Sequence, residues 1–223
     1  MLCLSADMYF SDRIEAGEIL AKRLQQYRGA NTSVIALSIG GALVGAFIAR
    51  QLGAKLTLLL TRDVMLPGEP TSFGTMSQTG EFTYNSNLAK AEIDEYNSEF
   101  HNHIEAEKLS RLFELNKVTG KHTMTDRQEL QDHTIILVSD GITNAAVLDV
   151  AYEYLKPVRI KRLIAAIPLA TVKVVDRLHI LTDEIHVLSV IENTDFDIDH
   201  YYTDNELPKE EDVLSSIDQL AQV

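Results

Sequence analysis

Positive charge is scarce in this chain: 20 lysines and arginines stand against 33 aspartates and glutamates over 223 residues, a formal charge of −13. A chain so acidic lacks the clustered cations that release counterions from nucleic acid or dock anionic lipid head groups, so neither nucleic acid nor membrane is expected as a partner; only a local basic pocket stays open. Cysteine is almost absent. The single one, Cys3, has no internal partner for a disulfide, which fits a reducing cytoplasm, and its terminal position speaks against a catalytic thiol. No stretch reaches the roughly 18 to 20 consecutive apolar residues of a membrane helix. The start, "MLCLSADMYFSDR", has no basic n-region, and Asp7 and Asp12 interrupt it, so no signal peptide is expected. Metal-ligand spacing is also missing, because His101 and His103, two apart, would point to different faces of a helix. The segment "SIGGALVG" lacks the Gly-Lys-Ser/Thr ending of a P-loop and fails the Gly-x-Gly-x-x-Gly fingerprint.

What is present is an ordinary supply of core residues, 45% hydrophobic, and no internal repeat, which predicts one domain over residues 1–223. Ile14, Gly17, Leu20, Ala21 and Leu24 fall at helical spacing between Asp12 and Tyr27. "SVIALS" (33–38) reads as a strand covered on both faces, followed by a Gly-Gly turn, a helix of small residues and a Gly53-Ala54 stop. "KLTLLL" (55–60) is a second strand. Pro67, Gly68, Pro70 and Gly74 mark 61–74 as a loop, and a hairpin is expected around Gly80. One long helix is predicted over 88–115, within a helical insertion of about 88–117, and a polar connection over 117–133. Strand 135–138, helix 143–155, a strand ending at Pro168, helix 171–179 and strand 184–190 follow. The tail, about 191–223, carries acids, Tyr201, Tyr202 and a closing helix from Lys209. Strands alternating with helices imply an α/β fold with a mainly parallel central sheet flanked by helices.

In such sheets ligands bind where strands end and helices begin. Three turns qualify, Ser38–Gly41, Thr61–Gly74 and Ser139–Ala145, and they are expected to line one cleft. Asp140 is read either as a cap for its turn or as an acceptor for a ribose hydroxyl. Gly40 and Gly41 serve either tight strand-to-helix packing or backbone approach to phosphate. Arg62 is either a surface ion-pair partner or a site cation. Thr143 or Asn144 caps the helix or donates to an anion. Asp63 lies at a distance after the glycines that would also suit a ribose in a Rossmann-like nucleotide module. Tyr201 and Tyr202 either stack on a base or pack in the core.

"FSDRIEAGEILAKRL", a strand with a Gly-Gly turn, "TRDVMLPGEPTSFG", "IILVSDGITNAAV", "LIAAIPLA", "TDEIHVL" and the tyrosine pair occur in an order that resembles a bacterial group of type I phosphoribosyltransferases, over nearly the whole chain. The resemblance implies a Rossmann-like phosphoribosyltransferase fold with a small hood or tail element, and a homodimer. It also implies that two acids hold the ribose hydroxyls of phosphoribosyl pyrophosphate, at positions 139 and 140, where this chain has Ser139 and Asp140. The family's Thr-Gly-x-Thr loop falls on Asn144, Ala145, Ala146 and Val147, and its Pro-Arg-Gly-Gly pyrophosphate turn on Ser38, Ile39, Gly40 and Gly41. Arg-Lys becomes Arg62-Asp63. The cleft is therefore expected to be depleted of cations. The candidate ligand-binding set is Ser38, Gly40, Gly41, Arg62, Ser139, Asp140, Gly141, Thr143, Asn144 and Ala145, with no protein metal site and magnesium only as a companion of the diphosphate donor. Three functions follow: a protein that holds a phosphorylated ribose or nucleotide with transfer weakened or lost, an active transferase with atypical residues, or an interaction scaffold.

Overall fold

The computed structural model describes residues 8–29, 31–69, 72–85, 88–119, 127–192, 196–209 and 212–213. Cys3, residues 120–126 of the 117–133 connection and nearly all of the closing helix expected from Lys209 lie outside them. Helix α1 (Arg13–Arg23) begins at Asp12, whose side chain accepts from the Glu15 amide, and buries Ala16, Gly17, Leu20 and Ala21. Strand β1 (Thr32–Ala36) leads into α2 (Ile39–Leu52), capped by Ser38 and stopped by Gly53 at φ 66°, a left-handed conformation that glycine adopts without strain. Strands β2 (Lys55–Leu58), β3 (Thr61–Met65), β4 (Ser72–Ser77) and β5 (Phe82–Tyr84) follow, then helices α3 (Lys90–Glu99) and α4 (His101–Thr119). The chain continues as β6 (Thr134–Val138), α5 (Ala146–Leu155), β7 (Arg162–Thr171), α6 (Val172–Leu181) and β8 (Glu184–Ile191).

Five strands form a parallel sheet in the order β2-β1-β6-β7-β8. Both faces are covered. Val34, Ala36, Ile136 and Val138 join the core under α1 and α2, whereas Ile35, Leu37, Ile135 and Leu137 join the one under α5 and α6. This alternation is why the central strands read as unbroken apolar runs. β3, β4 and β5 form a separate antiparallel sheet, where Phe73 of β4 and Leu66, just after β3, pack with Ile104 of α4.

Three expectations are corrected. The 61–74 segment is not a loop but two paired strands, β3 and β4, with the Pro67-Gly68 turn between them. Its polar residues hid this, since every residue of β4 is buried although half are Ser or Thr. The single helix 88–115 is two helices broken at Phe100, whose carbonyl accepts from the Ile104 amide while its ring stays near Tyr96. Finally, β7 runs through Pro168 to Thr171. Pairing with β6 ends at Ala166, so the missing N–H lies beyond the β6 ladder, and register with β8 holds on either side, with Ile167 opposite Val187 and Leu169 opposite Ser189. The hairpin about Gly80 forms as expected between β4 and β5.

At the amino ends of β7 and β8, Glu184 accepts from Tyr27 Oη, from Gln26 Nε2 at 3.1 Å and pairs with His186 Nε2 at 2.7 Å. Burial pushes the Glu184 carboxyl up, but the bonds from Tyr27 and His186 outweigh it and hold it below its ordinary value. A depressed carboxyl stabilises the fold above its unfolded pKa, and that contribution is lost as pH falls through the folded value. Glu184→Gln is therefore expected to destabilise at neutral pH and to converge on the parent protein in acid. Urea titrations of both proteins from neutral pH to below the glutamate range check this; a constant gap at every pH would refute it.

Candidate functional site

Chain order reverses between β1 and β6, because β1 leads outward to β2 and β6 leads outward to β7 and β8. At such a switch point the loops after the two strands diverge and leave a crevice at the carboxyl ends of the strands. A cleft of about 570 Å³ lies there, lined by Ser38 and Gly40 after β1, Thr61, Arg62 and Asp63 on β3, and Ser139 to Asn144 after β6. Arg13, Val147 and the tail residues Phe196 to Asp199 and Leu207 complete it. Of the ten residues expected at the site, Ser38, Gly40, Arg62, Ser139, Asp140, Gly141, Thr143 and Asn144 line the cleft, while Gly41 and Ala145 do not.

Asp140 is the centre of the polar network. Its Oδ1 accepts from Ser38 Oγ at 2.7 Å, and its Oδ2 accepts from Arg13 Nε at 2.9 Å. Its carbonyl accepts from Tyr202 Oη at 2.7 Å. Ser139 Oγ donates to the Gly141 carbonyl at 2.9 Å, which closes the turn on itself. The carboxylate accepts from two side chains and not from an amide of its own turn; it ties the loop after β6 to the start of α2 and to α1, and it lines the cleft.

The expectation of cation depletion is overturned at one point. The guanidinium of Arg13 lies beside Gly40, where a β-carbon would be only 2.7 Å from Nε. Arg13 is 3% exposed, binds Asp140 and Asp199 (Nη2 to Oδ1, 2.5 Å), and stacks its Cζ 4.6 Å from the Tyr202 ring centre. Burial works against its charge, but Asp140 and then Asp199 more than offset that and raise its pKa further. Burial likewise pushes the Tyr202 phenol far up, with the Asp140 charge adding to it. The sequence pattern places Arg13 among the solvent-facing charges of an amphipathic helix. One signal was available: an arginine in the first turn opposes the positive end of the helix dipole and calls for a specific anionic partner.

Gly40 and Gly41 belong to the first turn of α2, not to a free turn. A β-carbon on Gly40 would fall 1.9 Å from Asp140 Oδ2, and one on Gly41 would fall 2.7 Å from the Ser139 α-carbon. The packing reading therefore holds for both. Arg62 Nη1 donates to its neighbour's carbonyl at Thr61, 3.2 Å away, and Asp63 accepts from Thr75 Oγ1 at 2.6 Å. At the start of α5, Asn144 Oδ1 accepts from the Ala146 amide at 3.0 Å, so Asn144 rather than Thr143 caps that turn. Tyr201 and Tyr202 are buried: Tyr202 packs on Phe10 and Tyr201 on Tyr9 and Phe196. Asp199, Ile198 and Phe196 were missed because the tail reads as polar and acidic; around Tyr201 the main chain is nevertheless tied down, with the Phe10 amide donating to Tyr201 and the Thr203 amide to Phe10.

No family model matches the chain. Two Mycobacterium tuberculosis proteins, named "Putative phosphoribosyl transferase MT0597" (strain CDC 1551 / Oshkosh) and "Putative phosphoribosyl transferase Rv0571c" (strain H37Rv), are each 26% identical to it over 187 residues. The match covers 81% of this chain and 40% of theirs, so the chain spans less than half the length of these relatives. Among solved structures, TT1426 from Thermus thermophilus is 26% identical with a TM-score of 0.70, covering 96% of this chain and 100% of that one. A parallel sheet flanked by helices, with its cleft at a switch point, defines a Rossmann-like α/β protein. Within that class the chain is similar to the two proteins named "Putative phosphoribosyl transferase".

Proposed function

We propose that the cleft holds a phosphorylated ribose or a nucleotide, and that transfer from phosphoribosyl pyrophosphate is weakened or lost. In this reading the ribose hydroxyls lie against Asp140 and the 5′-phosphate against Thr143 and Asn144. The observation that carries this reading is the state of Asp140: each of its carboxylate oxygens already accepts from a protein donor, Ser38 or Arg13. Each oxygen retains a second acceptor position for a hydroxyl, but Ser139 offers no second carboxylate. At the Gly40 end, the leaving diphosphate would meet a guanidinium already paired with two acids. Transfer of a ribosyl group passes through a state in which negative charge builds on the departing diphosphate, and one missing preorganised donor costs on the order of 100-fold to 1000-fold in such steps.

Magnesium enters only as the partner of a diphosphate substrate; among the described residues no group of three or more His, Cys, Asp or Glu is arranged to hold a metal. Isothermal calorimetry with phosphoribosyl pyrophosphate and magnesium, followed by a pyrophosphate assay with each nucleobase, tests the reading. Weak donor binding without pyrophosphate release is expected, together with measurable binding of ribose 5-phosphate. Micromolar donor binding with base-dependent pyrophosphate release would replace it by an active transferase. Absence of any phosphate-ligand binding would leave the fold as a scaffold.

A further inference from the structure

We infer that Arg13 is the anion-binding cation of the cleft and that Asp199 is an internal anion occupying the place a ligand phosphate or diphosphate takes on it. The inference rests on the reading of the cleft as a site for phosphorylated ligands and names the group that would grip the anion at the Gly40 end.

The two acids on Arg13 are unequal. Asp140 has a side chain 8% exposed, is tied by Ser38 Oγ as well as by Arg13, and belongs to a loop whose main chain is held by Tyr202. Asp199 has a side chain 49% exposed and lies on the short helical turn Ile198–Tyr201 of the tail. An exposed carboxylate on a flanking segment is the weaker member, because solvent screens it and holding it in place costs side-chain entropy. Arg13 has five N–H donors, of which Nε serves Asp140 and Nη2 serves Asp199; its Nη1 reaches the Asn205 carbonyl only at 3.4 Å. A phosphate brings more charge and more acceptor oxygens than a carboxylate, and a guanidinium binds it bidentately. Exchange at Nη2 and Nη1 would leave the Asp140 bond intact.

The exchange would also move the tail. Phe196, Asp197, Ile198 and Asp199 all line the cleft, and Ile198 packs on Gly141, where a β-carbon would come within 2.9 Å of it. An anion that displaces Asp199 therefore releases one of the points holding this wall, and the cleft gains both a cation and width. Asp140 compensates the Arg13 charge throughout; without a ligand, Asp199 occupies the Nη2 donor that Asp140 leaves over.

Calorimetric titrations with inorganic pyrophosphate and with ribose 5-phosphate test this on the full chain, Asp199→Asn and Asp197→Asn. Asp197 lines the same cleft and is not bonded to Arg13; its Oδ1 accepts from the Asp199 amide, a cap that asparagine can also make, so Asp197→Asn removes the same charge while keeping the turn that carries Asp199. Asp199→Asn is expected to bind pyrophosphate at least tenfold more tightly than the parent, with Asp197→Asn gaining less than threefold. Adding Arg13→Lys to Asp199→Asn is expected to erase the gain, thermal unfolding confirming that each variant folds. Equal gains from both aspartate changes, or none, would overturn the exchange. If ribose 5-phosphate still binds the parent protein in that case, the proposed function stands without it; if neither probe binds any variant, both fall together.

Discussion

Arg13→Ala is expected to be the most damaging single substitution in the chain. It removes the partner of Asp140, a carboxylate 8% exposed, and leaves Ser38 Oγ as that group's remaining side-chain donor. Breaking a buried pair from one side costs about 3–5 kcal/mol, because the survivor's charge is left desolvated. The bond to half-exposed Asp199 adds little, since solvent screens it. For a domain of this size each kcal/mol shifts the midpoint by roughly 2–4 °C, so thermal unfolding should move down by on the order of 10 °C. A partner-dependent cost has a second signature: with Asp140→Ala in the same chain, the double variant should be more stable than the two single losses predict by addition. Strict additivity in urea unfolding would mean that Arg13 acts through its packing on Tyr202 and not through its charge.

The sheet was legible in the sequence to the extent that burial on both faces writes itself as continuous Val, Ile, Leu and Ala. β1, β6 and β7 come nearest to that form, while β8 at the sheet edge mixes Glu184, His186 and Ser189 among its apolar residues and is only partly buried; each of the four begins and ends within a few residues of its expected limits. β3 and β4 do not. Ser72, Thr75 and Ser77 are buried in β4 with hydroxyl partners such as Asn85, Asp63 and Thr79, so polarity there reports satisfied hydrogen bonds, not solvent. The candidate site divides in the same way. Residues after β1 and β6 follow from topology, since ligand clefts collect at the carboxyl ends of strands. Arg13 meets Asp140 across 127 residues and Asp199 across 186, and no local pattern encodes such a meeting. Only the arginine's unfavourable place in the first turn of α1 hinted at it.

Gly40→Ala should separate these two sources of information. At an ordinary interior position of a helix, alanine is more stable than glycine by roughly 0.5–1 kcal/mol. Here the new methyl would lie 1.9 Å from Asp140 Oδ2 and 2.4 Å from its Cγ, atoms pinned by Arg13 and Ser38. Either Asp140 turns away and breaks both bonds, or the first turn of α2 lifts off the loop after β6. Overpacking of this kind costs about 1–3 kcal/mol, opposite in sign to the helix preference. Gly45 in the same helix is the internal control: its β-carbon would meet the end of the Leu56 side chain at 3.1 Å and a Val34 methyl at 3.4 Å, close to ordinary contact, so Gly45→Ala should stay within about 1 kcal/mol of the parent. Urea unfolding of the two variants gives the comparison directly. If Gly40→Ala proved as stable as Gly45→Ala, the Asp140 carboxylate would have room to move, and the network joining α1, α2 and the loop after β6 would be loose where the structure draws it tight.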